Sequence, residues 1–384
     1  MRTKIFSFSL CVLLLVIFPF PVSSQPSLKL GCLIPIAGRW SDSGRECVKG
    51  MLDASKGLNQ RGGIFGMKLE VILMEDSSQT AETVAAFRKL NETDQILLLY
   101  IYSMETALAL LPHIQFYRIP TLTGCLPSYL DKPLRYPFIF SVNPTALDLS
   151  KIAMKFISER SGIKGRKPKI IFIGSPDLPS RNFLEEAEEF AKKMGLDIGP
   201  DIWIYELSSP PAFFPLMQSY NPDFAYLSLT SKETSSILQA ARETSLRNRW
   251  VCNMRAFDEN LSPFDGVLGV QPVAPFGDDV PGMVGIKEAH QRWHPYDAHT
   301  LSYVEGWATV QVISEALGRS FPEQGFSRER VKSALESFKN FVVGGLIPPL
   351  TITAQDHRPS VESKIVIIKD GKILRYTDFI SIER

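Results

Sequence analysis

Three runs, LKLGCLIP, KLEVILME and QILLLYIY, constrain this 384-residue chain more than any other feature of it. Each is almost continuously apolar, as a strand covered on both faces must be. Each is followed by a helix-like stretch, at 46–59, 80–90 and 106–115. Repeated strand–helix units predict a doubly wound α/β fold, a parallel sheet with helices on both faces. The pattern breaks at YPFIFSVNPTALD, where Pro144 interrupts the run, and restarts after SGIKGRKP. KIIFIG, NFLEEAEEFAKKMG, DFAYLSL and SSILQAAR then repeat the alternation, which predicts a second unit of the same class. A Pro- and Gly-rich stretch, VQPVAPFGDDVPG, precedes LSYVEGWATVQVISEALG, a helix apolar on most faces (Val304, Trp307, Ile313, Ala316, Leu317) and therefore expected to be buried. The tail KIVIIKDGKILRY reads as a hairpin turning on Asp370-Gly371, residues that supply positive φ.

At the start, Arg2 and Lys4 precede an apolar run over 5–20, followed by Pro21 and the small residues Val22-Ser23-Ser24. This is the pattern of a secretory signal peptide, residues 1–24, and the run is short for a spanning helix. Cys11 lies inside the apolar run, a position that does not fit a lipid-modified N-terminal cysteine. The most apolar later segment, ILLLYIYSMETALALL, is interrupted by Glu105 and stops at Pro112, so the mature chain is expected to be soluble outside the cytoplasm. Cys32, Cys47, Cys125 and Cys252 then remain, either as disulfides, for which three pairings exist, or as buried free thiols. Two glycosylation sequons, Asn91-Glu92-Thr93 and Asn260-Leu261-Ser262, matter only in a eukaryotic secretory route. The net charge is +1 with both signs mixed along the chain, which argues against a nucleic-acid partner.

The loop after the first strand, GRWSDSG, fails both nucleotide tests. Gly38 and Gly44 have five residues between them and are followed by Arg45-Glu46, whereas a phosphate loop needs four and then Lys-Ser or Lys-Thr. G-x-G-x-x-G is absent too, so no cofactor is expected. There is no G-x-S-x-G elbow, and no cysteine sits in a motif that pairs it with a histidine. The best metal candidate is EAHQRWHPYDAH, where His290 and His294 share a helix face with Asp297 and His299 behind; Pro295 ends any helix there, and a solvated cluster is the competing reading.

Open α/β sheets bind ligands outside the carboxyl ends of their strands. Four loops occupy such ends: GRWSDSG, YSMET, TGCLP and LTSKE. Ser103 and Thr230 stand at helix starts, where a hydroxyl and the first-turn N–H groups either bind an anion or form an N-cap.

Pro35, Gly38 and Gly44, then Asn59 with Gly62-Gly63-Ile64 and Gly66, and the acidic pair Glu75-Asp76 resemble the opening of the leucine/isoleucine/valine-binding proteins, the type I solute-binding subunits of ABC transporters. SYVEGWATVQVISEALGR and DHRPS…KIVIIKDGKI resemble late segments of the same family, especially its amide and aromatic-compound members. The resemblance implies two lobes, 25–145 with 275–340 and 146–274 with 341–384, joined by three crossings and closing on a small molecule that is handed to an inner-membrane ABC permease. It places ligand contacts at Trp40, Ser41 and Ser43, at Ser103, at Thr123, Gly124 and Cys125, and at Thr230. Pro179-Ser180 and Thr230 depart from the family pattern. The acid that pairs with a ligand ammonium in amino-acid-binding members falls near Met254, beside Arg255, so the implied ligand is a carboxylate, amide or aromatic compound rather than a standard α-amino acid. Asp258 is the alternative source of negative charge. Bulky residues replace the usual Gly-Pro before Ser103; of these Tyr102 is expected in the cleft and Tyr100 in the core. The function implied is solute binding without catalysis, with two rivals: a sensor subunit of the same fold, and a secreted metal-dependent α/β enzyme using His290 and His294.

Overall fold

The computed structural model describes residues 27–384 except 36, 39, 77–79, 125, 127–129, 131, 206–211 and 322–324. The signal-peptide segment, Cys125 and the side chain of Pro179 lie outside the described residues. The first half alternates as its sequence predicts: β1 (Ser27–Ile34), α1 (Ser41–Gln60), β2 (Lys68–Glu75), α2 (Thr80–Arg88), β3 (Leu98–Ile101), α3 (Met104–Tyr117), β4 (Thr121–Thr123) and β5 (Ile139–Ser141). The strands form one parallel sheet in the order β2-β1-β3-β4-β5. Central β3 is LLYI with all four side chains fully buried, which is why its sequence shows no polar alternation.

The second sheet is built from β6 (Lys169–Gly174), β7 (Asp197–Ile198), β8 (Ile202–Trp203), β9 (Phe224–Ser228), β10 (Arg249–Cys252) and β11 (Leu268–Gln271), all pairing in parallel. Its helices are α4 (Ala146–Arg160), α5 (Leu178–Lys193), α6 (Phe214–Tyr220) and α7 (Ser231–Ala241). One edge of this sheet is antiparallel, and the expected C-terminal hairpin forms it. There β12 (Glu362–Lys369) pairs antiparallel with β11 and turns through Asp370 (φ 51°) and Gly371 (φ 70°) into β13 (Lys372–Arg375), and a short β14 (Ile380–Ser381) also joins β12. Left-handed backbone at both turn residues is what a two-residue hairpin requires.

Between β11 and β12 the chain returns to the first sheet as α8 (Met283–Trp293), α9 (Leu301–Arg319) and α10 (Arg328–Leu335). It therefore passes between the two α/β units three times. α9 is buried as its pattern demands: Val304, Ile313, Ala316 and Leu317 are inaccessible and Trp307 is 6% exposed. It crosses α1 backbone to backbone, because a Cβ on Gly50 would lie 2.0 Å from the Tyr303 carbonyl oxygen and one on Gly306 1.9 Å from that of Cys47. α10 is pinned by Arg328, which donates to the carbonyls of Ile96 (2.8 Å) and Tyr117 (3.1 Å) and to Asn91 Oδ1 (2.9 Å). Asn91, the first sequon, is thus a buried structural acceptor rather than an exposed attachment point.

Cys32, Cys47 and Cys252 are free, buried thiols, and burial pushes all three well above the usual thiol range. No helix of the described residues is long and apolar enough to cross a membrane.

Candidate functional site

The carboxyl ends of strands from both sheets meet around two adjoining compartments with about 530 and 730 Å³ of space, open solvent included. The first is polar, with Asp42, Thr230, Ser231, Met254, Asp258 and Asn260 among its walls. The second is more apolar, with Tyr102, Ser103, Ser175, Phe183, Ser228 and Leu229. Trp40, at the start of α1, and Arg255, just beyond β10, line both. The geometry thus brings together Trp40, Ser43, Tyr102, Ser103, Thr230, Met254 and Arg255 from loops spread over 216 positions of sequence, from 40 to 255.

Arg255 is the centre of this region. Its Nη1 donates to Glu305 Oε2 at 2.9 Å and to the Tyr102 hydroxyl at 2.8 Å, and its Nη2 donates to Glu305 Oε1 at 3.0 Å. The guanidinium also lies 4.4 Å from the centre of the Tyr102 ring. Burial works against the guanidinium charge, but Glu305 overrides it and holds the group well above its ordinary pKa. Glu305 is 2% exposed, and Asn143 Nδ2 bridges it (3.1 Å) to the Gly124 carbonyl (2.9 Å). Gly124 has to be small, since a Cβ there would sit 2.5 Å from Arg255 Nη2. The free cation implied by the sequence is therefore one half of a bidentate ion pair, joining a loop of the second sheet to α9 over the first.

The two helix-start hydroxyls resolve as caps. Ser103 Oγ accepts from the Thr106 N–H at 3.2 Å and donates to Asp76 Oδ2 at 2.9 Å, so Asp76 anchors the start of α3. Thr230 forms a capping box with Glu233: its Oγ1 accepts from the Glu233 N–H, and its own N–H donates to Glu233 Oε2 at 2.8 Å. Both residues still border the cleft. Ser41 and Thr123 are buried and line neither compartment; Thr123 Oγ1 donates to the Phe140 carbonyl at 3.2 Å. Met254 faces the polar compartment, while its peptide is fixed by Asn253 Oδ1 and Gln271 Nε2. Tyr102 is at the cleft and Tyr100 is in the core beside Cys47 Sγ, 3.7 Å away.

Asp258 lines the polar compartment. Burial raises its carboxyl, opposed by hydrogen bonds from Ser231 Oγ (2.5 Å) and the Asn260 N–H (2.8 Å). Next to it, burial and then the Asp258 charge push Glu259 up to about 8, and its Oε1 accepts from the Leu301 N–H at the start of α9. Glu305 escaped the sequence reading although a signal was present: an acid among the buried residues Tyr303, Val304 and Trp307 of α9 must find a buried partner.

The histidine cluster does not converge on a metal. His294 Nε2 lies 2.9 Å from Asp53 Oδ2, and His290 Nε2 lies 3.3 Å from the Ala298 carbonyl, so each ring is engaged within the protein. Among the described residues no group of three or more His, Cys, Asp or Glu is placed to hold a metal ion.

The family model described as periplasmic binding protein matches residues 27–372. No curated protein matches the chain. Solved structures do. A branched-chain amino acid ABC transporter protein from Thermus thermophilus with bound valine superposes with a TM-score of 0.84 at 19% identity, over 93% of this chain and 97% of that one. A fatty acid ABC transporter substrate-binding protein from Thermomonospora curvata gives 0.83 at 18%, over 93% of each chain. A solute-binding protein from R. palustris in complex with benzoate gives 0.76 at 15%, over 93% of this chain and 98% of that one. Identities this low establish a shared fold and leave the ligand open.

Proposed function

Because the chain belongs to the periplasmic binding protein family, we propose that it is the extracytoplasmic solute-binding protein of an ABC transporter. In this reading it catalyses nothing, captures a small molecule between two lobes and presents it to an inner-membrane permease. The lobes are 25–145 with 275–340 and 146–274 with 341–384, and the leader 1–24 supports export. The carrying observation is the pair of compartments lined by strand ends of both sheets, the place where α/β sheets take ligands. Three chain passages between the units suit hinge closure, in which ligand held by one lobe recruits the other.

The ligand belongs to the amino acid, amide, carboxylate or aromatic classes. Relatives of the same fold carry valine or benzoate or are named for fatty acids, so the cleft's own side chains decide among these classes. Native mass spectrometry of protein purified without denaturation tests the reading. A one-to-one retained small molecule, with a thermal midpoint that rises on adding it back, is the expected result. Protein that carries nothing and responds to no member of a metabolite panel overturns it.

A further inference from the structure

Among the described residues the cleft presents no unpaired positive charge. Among the described residues lining it the cations are Arg255 and Lys232, and each is already matched: Arg255 by Glu305 at 2.9 and 3.0 Å, and Lys232 by Asp42 at 2.7 Å. The remaining charged lining is acidic, with Asp258 in the polar compartment and Glu105 and Asp177 in the apolar one. A ligand carboxylate entering either compartment would lose its water and meet carboxylates, with no unpaired cation among the described residues to offset the cost.

The Arg255–Glu305 pair is also built rather than incidental. Gly124 leaves room for the guanidinium, Tyr102 lies beneath it, and Asn143 ties Glu305 to the Gly124 carbonyl. Next to the pair, Phe183, Leu229 and Ala146 offer apolar contact, while Ser175 and Ser228 offer hydroxyls. Such walls suit an apolar body carrying a carbonyl or hydroxyl oxygen.

We propose that Glu305 is the specificity-determining residue of the cleft: by neutralising Arg255 it turns the site against carboxylates, so that the ligand is an apolar-bodied molecule with a carbonyl or hydroxyl oxygen and no carboxylate. The inference rests on the solute-binding reading and narrows its ligand.

The test uses the mature protein and two matched probe pairs, benzamide with benzoate and isovaleramide with isovalerate, followed by calorimetry. The ligand retained by the wild type is identified in parallel by native mass spectrometry. Wild type is expected to take an amide in preference to its acid, and Glu305→Gln, which keeps an acceptor for Asn143 but frees Arg255, is expected to bind the acids at least tenfold more tightly than wild type does. Acid binding equal to amide binding in the wild type overturns the inference, as does a Glu305→Gln protein with no gain for acids. If freeing Arg255 prevents folding, the doubly uncharged Arg255→Gln/Glu305→Gln protein replaces it and is expected to keep the preference for amides. Loss of that preference in the double variant overturns the inference. A retained ligand bearing a carboxylate overturns it while solute binding stands, and a retained uncharged ligand supports it. Protein that retains and binds nothing overturns the solute-binding reading itself.

Discussion

A Cβ on Gly124 would sit 2.5 Å from Arg255 Nη2 and 2.9 Å from Glu305 Oε1, so an alanine there cannot coexist with the ion pair as it stands. Gly124→Ala is expected to lower stability by about 1–3 kcal/mol, the usual cost of overpacking, read as a lower urea midpoint with an unchanged slope. A second residue sets a pH dependence. Glu188 is 9% exposed, and burial, then a hydrogen bond with Asp201, raises it from 4.5 to about 8. Between those two values the folded chain holds a proton that the unfolded chain has released. The stability this group contributes is therefore complete below pH 4.5 and drains away as pH rises through 8. Glu188→Gln stays neutral at every pH, so its melting temperature should fall less than that of wild type between pH 5 and 8.5, by ~2–4 °C. Parallel melting curves for the two proteins across that range would refute the assignment.

At the scale of elements, the crossing of α1 and α9 carries the most consequence, because it places Glu305 beside the cleft. Gly306→Ala would drive a Cβ to 1.9 Å from the Cys47 carbonyl oxygen, a backbone atom that cannot swing away. On the same helix a Cβ on Gly318 meets nothing within 4 Å. The same substitution should then have opposite signs: Gly306→Ala destabilises by about 3 kcal/mol, whereas Gly318→Ala stabilises by up to about 1 kcal/mol through helix propensity. Chemical denaturation of the two variants decides it, and similar effects would remove the crossing from the account. What the sequence made legible follows the same physics. β1, β3, β6 and β9 stood out because strands covered on both faces are continuously apolar, and the Asp370-Gly371 hairpin because few residues tolerate its backbone. The antiparallel pairing of β12 with β11 was hidden, since strand direction leaves no mark on a buried apolar run. At the site, the loops at strand ends could be found, but the use of each hydroxyl could not. Ser103 is consumed by Asp76 and Thr106, and Thr230 by Glu233; the first of these bonds depends on a residue 27 positions away. Arg255 read as a free cation because its partner lies 50 residues downstream on another element.

For the whole molecule the question is what holds the two α/β units at their present separation. Among the described residues the contacts that span the cleft include the Arg255–Glu305 pair with the Arg255–Tyr102 hydrogen bond beside it, the Lys232–Asp42 pair, and the Glu259 carboxyl on the Leu301 N–H. They differ in weight. Lys232 and Asp42 are 61% and 49% exposed, and such a surface pair is worth about 0–1 kcal/mol. Arg255 and Glu305 are 22% and 2% exposed, and breaking a buried pair by removing one partner costs about 3–5 kcal/mol, because the other charge is stranded. Besides protonation of the stranded carboxyl, that penalty is relieved by letting water reach Glu305, which parting of the units provides. Small-angle scattering should therefore give Lys232→Ala the same radius of gyration as wild type and give Arg255→Ala a larger one. Added salt should leave the wild-type value unchanged, since screening weakens exposed pairs far more than buried ones. Scattering from Arg255→Ala that matches wild type would show that the separation does not depend on the ion pair, which then tunes ligand choice without latching the cleft.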